Sequence, residues 1–249
     1  MVDIHCHILP GVDDGSRNLK ESLEMARQAS ASGVIAIAAT SHFRGTPRDL
    51  ERIPLLRQRF DLLQKTLYQN QIRLRLYHGA EILCLPDTPL MAQRHMLPTT
   101  GEGEYVLVEF YFDEPGEMID RQLDQVAQCG YQVLVAHPER YFAVQESPEL
   151  IRRWFEKGYG LQVNKGSILG RFGNEVRRAA EEILFSGAAH AIASDAHRSD
   201  IRTAHMEEVT EWAYQNLGPE YSHLLLEENP ARVLLGRPLR NRGSAESDR

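Results

Sequence analysis

The sequence predicts an α/β fold, a parallel sheet covered by helices, on two observations. Seven short runs rich in Val, Ile, Leu and Ala alternate with amphipathic stretches of helix length along the 249 residues. Many of the runs are apolar throughout, which is typical of parallel strands buried beneath helices. We therefore expect a parallel sheet, closed or nearly closed into a barrel, in a single domain over residues 1–239.

Seven strand-like runs give the expected strands of the sheet in chain order. They are "VDIHCH" (2–7), "GVIAIAATSH" (33–42), "IRLRLYHGAE" (72–81), "EYVLVEF" (104–110), "YQVLVAHPER" (131–140), "GLQVN" (160–164) and "AAHAIASDAH" (188–197). Four helical stretches between them, 18–33, 53–70, 115–130 and 148–158, place apolar residues at spacings of three and four. Gly33, Gly130, Gly158 and Gly187 stand where a helix would end and the next strand begin.

Composition excludes several classes of protein. No apolar run approaches the ~20 residues of a membrane span, and no signal-peptide pattern is visible, so we expect a cytoplasmic protein. Three widely spaced cysteines without a CxxC pair argue against a disulfide framework. A net charge of −7 disfavours a nucleic-acid surface. The polar segment "RNRGSAESDR" (240–249) is expected to be disordered.

Ionisable side chains recur at the ends of six of the seven runs. They are His5, His7, His42, Glu81, Glu109, His137, Asp195 and His197. The carboxyl ends of parallel strands open on one face of a barrel, and residues two apart on a strand point the same way. A single histidine at a strand end is more often a hydrogen-bonded polar residue, and a carboxylate inside "VLVEF" is costly unless it is paired or coordinated. Taken together, the set predicts a metal site.

The same segments resemble a known family. In chain order, "DIHCHILPGVDDG", "ATSH", "GAEI", "VLVEF", "AHPER", "LQVNKGSILGRFG" and "SDAHRSDIR" resemble the PHP (polymerase and histidinol phosphatase) superfamily. More narrowly, the chain is similar to its manganese-dependent bacterial protein-tyrosine phosphatases, the CpsB/CapC-like group associated with capsule and exopolysaccharide synthesis. The resemblance runs from residue 2 to about residue 235 and includes "EENPARVLLG".

This resemblance implies a distorted (β/α)7 barrel of the PHP type, with a trinuclear metal site at the C-terminal face of the strands. The three divalent ions would be Mn²⁺, with Fe, Zn or Co as alternatives. The implied ligands are His5, His7, Glu81 and Asp195 for the first ion, Glu81, Glu109 and His137 for the second, and Asp14, His42 and His197 for the third. Asp13 is adjacent to Asp14, so either could be the ligand and either could be only a turn residue.

The resemblance also implies the catalytic residues Arg140 and Arg202. The planar guanidinium group can hold two phosphate oxygens at once, although each arginine could equally be a surface residue. Three divalent ions against the four carboxylates Asp14, Glu81, Glu109 and Asp195 would leave an excess charge of two, which matches a phosphate monoester dianion. We expect a metal-activated hydroxide to attack phosphorus directly. His42 or His197 could act as a general acid only if metal binding leaves it free.

Other hydrolytic mechanisms lack their sequence signatures. The sixth residue after each cysteine is Val12, Leu90 or Val135, so the Cys-x5-Arg loop of cysteine-dependent tyrosine phosphatases is absent. The serine-hydrolase GxSxG and the GxxxxGK[ST] phosphate loop are also missing.

The resemblance makes a phosphotyrosine protein the expected substrate, namely the tyrosine-rich tail of a bacterial tyrosine kinase of polysaccharide export. Rim residues Phe43, Arg44, Phe110, Tyr111 and Tyr141 could flank a tyrosyl ring or could simply pack in the fold. The alternatives are a small-molecule phosphomonoesterase of histidinol-phosphatase type and, less favoured, a nuclease. A third is a non-catalytic protein in which metal ions only hold the barrel together.

Overall fold

The computed structural model describes residues 1–44 and 46–243, and the α/β class with parallel sheets is confirmed. The strands are β1 (Val2–Cys6), β2 (Ala36–Ala39), β3 (His42–Phe43), β4 (Arg75–His78), β5 (Glu81–Leu83), β6 (Tyr105–Glu109), β7 (Gln132–Ala136), β8 (Gly160–Asn164) and β9 (Ala191–Ala193). The helices are α1 (Leu19–Ala31), α2 (Ile53–Gln69), α3 (Thr88–Gln93), α4 (Gly116–Ala127), α5 (Phe142–Glu146), α6 (Glu149–Glu156), α7 (Lys165–Ile168), α8 (Asn174–Ser186), α9 (Glu207–Leu217), α10 (Pro219–His223) and α11 (Asn229–Leu234). Short 3-10 turns cover Pro47–Arg52 and Pro138–Arg140, and a π-helical turn covers Leu224–Glu228.

The strands pair in two parallel sheets. One has the order β1-β2-β4 and the other the order β3-β5-β6-β7-β8-β9. Two predicted runs are each interrupted once, so that β2 and β3 come from one run and β4 and β5 from the next. At the interruption the Thr40 hydroxyl accepts a hydrogen bond from the Cys6 amide at 2.9 Å, and a Cβ on Gly79 would lie 3.0 Å from Thr40 Cγ2. Strand pairing keeps the same register on either side of the interruption, from Ala39 opposite His78 to His42 opposite Glu81.

The last strand of the chain, β9, lies beside the first, β1, at the edges of the two sheets. The Asp195 amide donates to the His5 carbonyl at 2.8 Å, and the His7 amide donates to the Ala196 carbonyl at 2.8 Å. A parallel bridge joins Cys6 to Ala196. The ends of the first and last strands, both of which carry predicted ligands, are thereby fixed side by side.

Alternation along the strands separates two apolar clusters. On β6, Tyr105 and Leu107 belong to a cluster closed by Val233 and Leu234 of α11. The intervening residues Val106 and Val108 pack in the larger cluster with the surrounding helices. Glu109 follows Leu107 by two positions, so a side chain at the end of β6 points to the same side as the smaller cluster.

The predicted helices and their ends are confirmed for the four stretches that the sequence singled out. Helices α1, α2, α4 and α6 lie within them, and Gly33, Gly130, Gly158 and Gly187 all have φ between 81° and 90°. In the described part of the chain, no helix is both long enough and apolar enough to cross a membrane.

The segment expected to be disordered from residue 240 begins with ordered residues. The Arg240 amide donates to Asn229 Oδ1 at 2.8 Å, and the Arg242 guanidinium lies 4.7 Å from the centre of the Tyr221 ring. Arg240 and Arg242 of the predicted tail therefore contact a polar side chain of α11 and an aromatic side chain of α10. The rest of the predicted tail, 244–249, lies outside the described residues.

Candidate metal centre

Glu81, at the start of β5, is the centre of a cluster of histidine side chains. Its Oε1 atom lies 3.1 Å from His5 Nε2 and 2.8 Å from His137 Nε2. Its Oε2 atom lies 3.2 Å from His7 Nε2 and 3.1 Å from His42 Nδ1. The carboxylate is buried, so both of its oxygens face nitrogen atoms rather than solvent. One carboxylate thus contacts four histidines from three separate segments.

Three further carboxylates surround this centre. Asp195 Oδ1 lies 3.4 Å from His5 Nε2 and 3.7 Å from His7 Nε2. Glu109 Oε1 lies 3.1 Å from His42 Nδ1, and Glu109 Oε2 lies 3.8 Å from His137 Nε2. Asp14 Oδ1 lies 3.3 Å from His42 Nε2 and 3.7 Å from His197 Nε2. The structure therefore brings all nine predicted ligands to one rim of the sheets.

The donor atoms fall into overlapping groups. Three sets, each with all ligand atoms within 4.8 Å of one another, are His5, His7 and Glu81; His42, Glu81 and Glu109; and His7, Asp14, His42 and His197. These sets resemble the implied partition among three ions, except that His7 and His42 each stand between two sets. His137 and Asp195 join through their contacts with Glu81 and His5.

Asp13 and Asp14 have different environments. Asp13 Oδ2 lies 3.0 Å from His7 Nδ1 and accepts the His42 amide at 3.1 Å, while Asp13 Oδ1 accepts the Gly15 amide at 3.0 Å. Asp14 leaves its carboxylate exposed beside His42 and His197. Asp14 is thus the better placed ligand, and Asp13 orients His7 from behind.

A chain of amide side chains supports the opposite side of the cluster. His5 Nδ1 lies 2.8 Å from Gln162 Oε1, so Nδ1 carries the hydrogen and Nε2 presents a lone pair to the cluster. Gln162 Nε2 donates to Asn164 Oδ1 at 2.8 Å, and Asn164 Nδ2 donates to Asp195 Oδ2 at 2.6 Å. Sequence reasoning did not assign Gln162 or Asn164, although polar residues at alternate positions of the apolar run "GLQVN" were a usable signal.

The carboxylates of the cluster stabilise the protonated form of two of its histidines. Burial lowers the pKa of His7, but hydrogen bonds to Asp13 and Glu81 outweigh it and raise that pKa to about 10. Burial likewise lowers the pKa of His42. Hydrogen bonds to Glu109 and Glu81 outweigh this effect and raise the pKa to about 11. For His197, burial and then the neighbouring positive charge of His7 lower the pKa to about 3.

Three residues at this rim have a left-handed backbone although none is a glycine. The φ angles are 35° at His137, 47° at Asp195 and 51° at Arg202. Such conformations cost about 1–3 kcal/mol each and persist where the surrounding structure fixes them. Here they turn the chain after β7 and β9, with His137 beside Glu81 and Asp195 beside His5 and His7.

The two predicted arginines have different roles in the structure. Arg202 donates a hydrogen bond to Asp195, and its Nη1 atom lies 3.1 Å from His197 Nε2. Arg140 approaches Asp195 only at 3.7 Å, and no described residue accepts a hydrogen bond from its guanidinium. Arg202 is therefore held by the cluster, whereas the donors of Arg140 are available.

The proposed rim aromatics divide between core and surface. Phe43, Phe110 and Tyr141 are buried, so for them core packing explains the residue. Tyr111 and Arg44 are exposed. Sequence reasoning missed Phe112 and Phe172, whose rings lie 4.3 Å and 4.5 Å from the Arg140 guanidinium. Phe112 follows the proposed Tyr111 directly, but only the fold brings Phe172 beside it.

The residues fit divalent cations. His5 Nε2 and His7 Nε2 face each other at 3.4 Å, an arrangement that needs a proton or a cation between two lone pairs. Asp195 Oδ1 is buried and has no hydrogen-bond partner among the described residues. Imidazole nitrogens and carboxylate oxygens are also the ligands that Mn, Fe, Zn and Co accept.

A parallel α/β fold with such a cluster at the strand ends defines the class of metal-dependent hydrolases. Residues 1–235 match the family described as capsular polysaccharide synthesis, CpsB/CapC. The chain belongs to this family.

Relatives of known activity agree with this placement. The chain is 32% identical over 235 residues to the tyrosine-protein phosphatase YwqE of Bacillus subtilis, covering 94% of this chain and 91% of that protein. It superimposes with a TM-score of 0.86, at 30% identity and with 100% of both chains covered, on a structure from work on YwqE and Streptococcus pneumoniae CpsB described as unique metal-dependent tyrosine phosphatases. A putative histidinol phosphatase of Listeria monocytogenes gives a TM-score of 0.50 at 11% identity, covering 80% of this chain and 96% of that one, which shows the fold alone.

Proposed function

We propose that this protein is a metal-dependent phosphomonoester hydrolase that acts on phosphotyrosine in proteins. The observation that carries the proposal is that one buried carboxylate, Glu81, contacts four histidines at the rim of the sheets. The family relationship supports the choice of phosphotyrosine, because the similar proteins are named tyrosine-protein phosphatases. In the context of capsule and exopolysaccharide synthesis, the substrate would be the tail of a bacterial tyrosine kinase.

Three divalent ions, preferably Mn²⁺, would be held by the nine ligands. His5, His7, Glu81 and Asp195 would hold the first, Glu81, Glu109 and His137 the second, and Asp14, His42 and His197 the third. Bound there, the ions would supply a water of lowered pKa as the nucleophile and would neutralise charge on the phosphate. The chain's own residues position the substrate and the ligands.

Arg140 is the residue that we assign to phosphate recognition. Its guanidinium is near the cluster without a hydrogen-bond acceptor among the described residues, so it can donate to the phosphate oxygens. Arg202 is assigned to fixing Asp195 and His197, with which it already interacts. Both nitrogens of His42 face carboxylates, which favours metal binding over proton donation. A phenolate, with a pKa near ~10, leaves without a strong general acid.

Purified protein tests this proposal directly. We expect Mn²⁺-loaded protein to hydrolyse p-nitrophenyl phosphate and a phosphotyrosyl peptide, and a chelator or His5→Ala to abolish both activities. Histidinol phosphate serves as the competing substrate, since faster turnover of that compound would favour the small-molecule alternative. A third result would identify a purely structural metal site. In that case the metal-loaded protein hydrolyses neither substrate, and a chelator lowers its melting temperature.

A further inference from the structure

The Arg140 guanidinium lies over two aromatic rings. Its Cζ atom lies 4.3 Å from the centre of the Phe112 ring and 4.5 Å from the centre of the Phe172 ring. Phe112 follows β6, while Phe172 follows α7, so the two rings come from distant parts of the chain. The Arg140 side chain is only 17% exposed. An arginine packed in this way still has N–H groups with which it can donate hydrogen bonds.

The N–H groups of Arg140 have no hydrogen-bond acceptor among the described residues. The nearest carboxylate oxygen to the guanidinium, Asp195 Oδ2, is 3.7 Å away, beyond hydrogen-bond distance. Arg202, by contrast, donates to the same carboxylate. A largely buried guanidinium with two stacked rings and no acceptor is arranged for an acceptor from outside the chain. Its position beside Asp195 places that acceptor next to the metal ligands.

The surrounding chain makes room for the rings. A Cβ atom on Gly166 would lie 2.7 Å from Phe172 Cε2, so the glycine leaves space for the Phe172 ring. The Phe112 ring also meets the His137 ring edge-on, with centroids 6.0 Å apart. One ring therefore contacts both the candidate phosphate-binding arginine and a candidate metal ligand.

We propose that Phe112 and Phe172 are positioning residues that hold Arg140 ready for the phosphate group of the substrate. This proposal rests on the proposed function. Two stacked rings restrict the rotamers of a flexible side chain and orient its planar donors, which lowers the entropy lost on binding. They also reduce the exposure of the guanidinium to water, which strengthens its attraction to an anion.

Phosphate binding measures this role separately from catalysis. We would titrate Mn²⁺-loaded wild type, Phe112→Leu and Phe172→Leu with inorganic phosphate by calorimetry, and measure KM and kcat with p-nitrophenyl phosphate. Each leucine variant should weaken phosphate binding and raise KM by about tenfold, with bound Mn²⁺ per chain unchanged and kcat within about threefold. Phe112→Tyr and Phe172→Tyr keep the ring and should restore phosphate affinity. Phe185→Leu, an exposed phenylalanine on α8, is the matched control and should bind phosphate as wild type does.

A double-mutant cycle identifies Arg140 as the residue through which the rings act. Arg140→Lys keeps the charge but loses the planar group, so adding Phe172→Leu to it should weaken phosphate binding by less than about twofold further. If the effects of Arg140→Lys and Phe172→Leu multiply in full, Phe172 does not act through Arg140 and the proposal is overturned. Should Phe172→Leu fail to fold, the same cycle is run with the more exposed Phe112.

Failure of this inference can be told apart from failure of the proposed function. Wild type that binds phosphate but hydrolyses no aryl phosphate would contradict the proposed function, while the binding titrations would still decide the role of the rings. Active wild type with leucine variants of unchanged phosphate affinity would overturn the role of the rings alone. Wild type without affinity for phosphate would overturn both.

Discussion

At the scale of single residues, Glu81 has the most demanding position. Its two oxygens contact four histidines within 3.2 Å, so its negative charge is shared by the whole cluster. Glu81→Gln keeps the shape but removes the charge and puts an N–H₂ group among nitrogen donors. We expect this variant to bind less Mn²⁺ and to lose at least about a hundredfold in kcat/KM, measured with p-nitrophenyl phosphate. Glu182→Gln, in α8 away from the rim, is the matched control, and equal activity of the two variants would contradict the role of Glu81.

Gln162 is the residue that tests the supporting amides. Its Oε1 atom fixes the hydrogen on His5 Nδ1 and so directs Nε2 at the cluster. Gln162→Leu should lower the affinity for Mn²⁺ about 10–100-fold, because residues that orient a ligand contribute on that scale. Metal titration of the stripped protein measures it. Gln162→Glu, which keeps an acceptor at the same place, should lose much less, and an affinity equal to that of the leucine variant would argue against orientation.

Proton competition at His7 and His42 gives the site a pH dependence. Both pKa values are raised in the metal-free cluster, to about 10 and about 11, so cations must displace protons at neutral pH. The affinity for Mn²⁺ should therefore rise with pH between 6 and 8, by up to about tenfold per unit for each displaced proton. Calorimetry in buffers of different ionisation enthalpy should show proton release, and binding without proton release would contradict these raised pKa values.

The same histidines affect folding in the metal-free protein with a definite sign. A folded-state pKa above the unfolded value of ~6.5 means that their stabilisation is fully present below pH ~6.5. It decreases as the pH rises toward 10 and 11. Metal ions reverse this trend, because they bind the deprotonated ligands and stabilise the native state by mass action.

At the scale of elements, the start of α1 shows how local sequence specifies a boundary. The Asn18 side chain accepts the Glu21 amide at 3.1 Å, and Glu21 Oε2 accepts the Arg17 amide at 2.8 Å. The first bond satisfies a donor that the first helical turn leaves free, and the second fixes the residue before the N-cap. Asn18→Ala should lower the free energy of unfolding by about 1 kcal/mol in urea denaturation. Asn18→Ser should be close to wild type, and an alanine variant of unchanged stability would exclude a capping role.

Sequence periodicity predicted most elements because their periods are local properties. The seven runs correspond to the strands of the structure, and the amphipathic stretches contain α1, α2, α4 and α6. The interruptions after β2 and β4 were not predicted. They lie at contacts of Thr40 with Cys6 and Gly79. These residues are distant in the sequence, so a local pattern does not predict their packing.

At the scale of the whole molecule, the predicted ligands converge because parallel strands end on one face. The residue types and their positions at the ends of the runs were sufficient to predict the rim. The supporting residues were harder to find, since Gln162, Asp13 and Phe172 act on ligands or arginines from other segments. Whether a polar or aromatic residue supports a site depends on the tertiary fold, which spacing along the chain does not reveal.

We expect this rim to bind the cations on which phosphate ester hydrolysis depends. The most direct measurement is the rate of hydrolysis of a phosphotyrosyl peptide by metal-stripped protein as Mn²⁺ is added, recorded against bound Mn²⁺ per chain. We expect no rate above background without metal and a rise to a plateau as the rim fills, with Glu81→Gln remaining near background. A stripped protein that hydrolyses the peptide at the full rate would contradict the account.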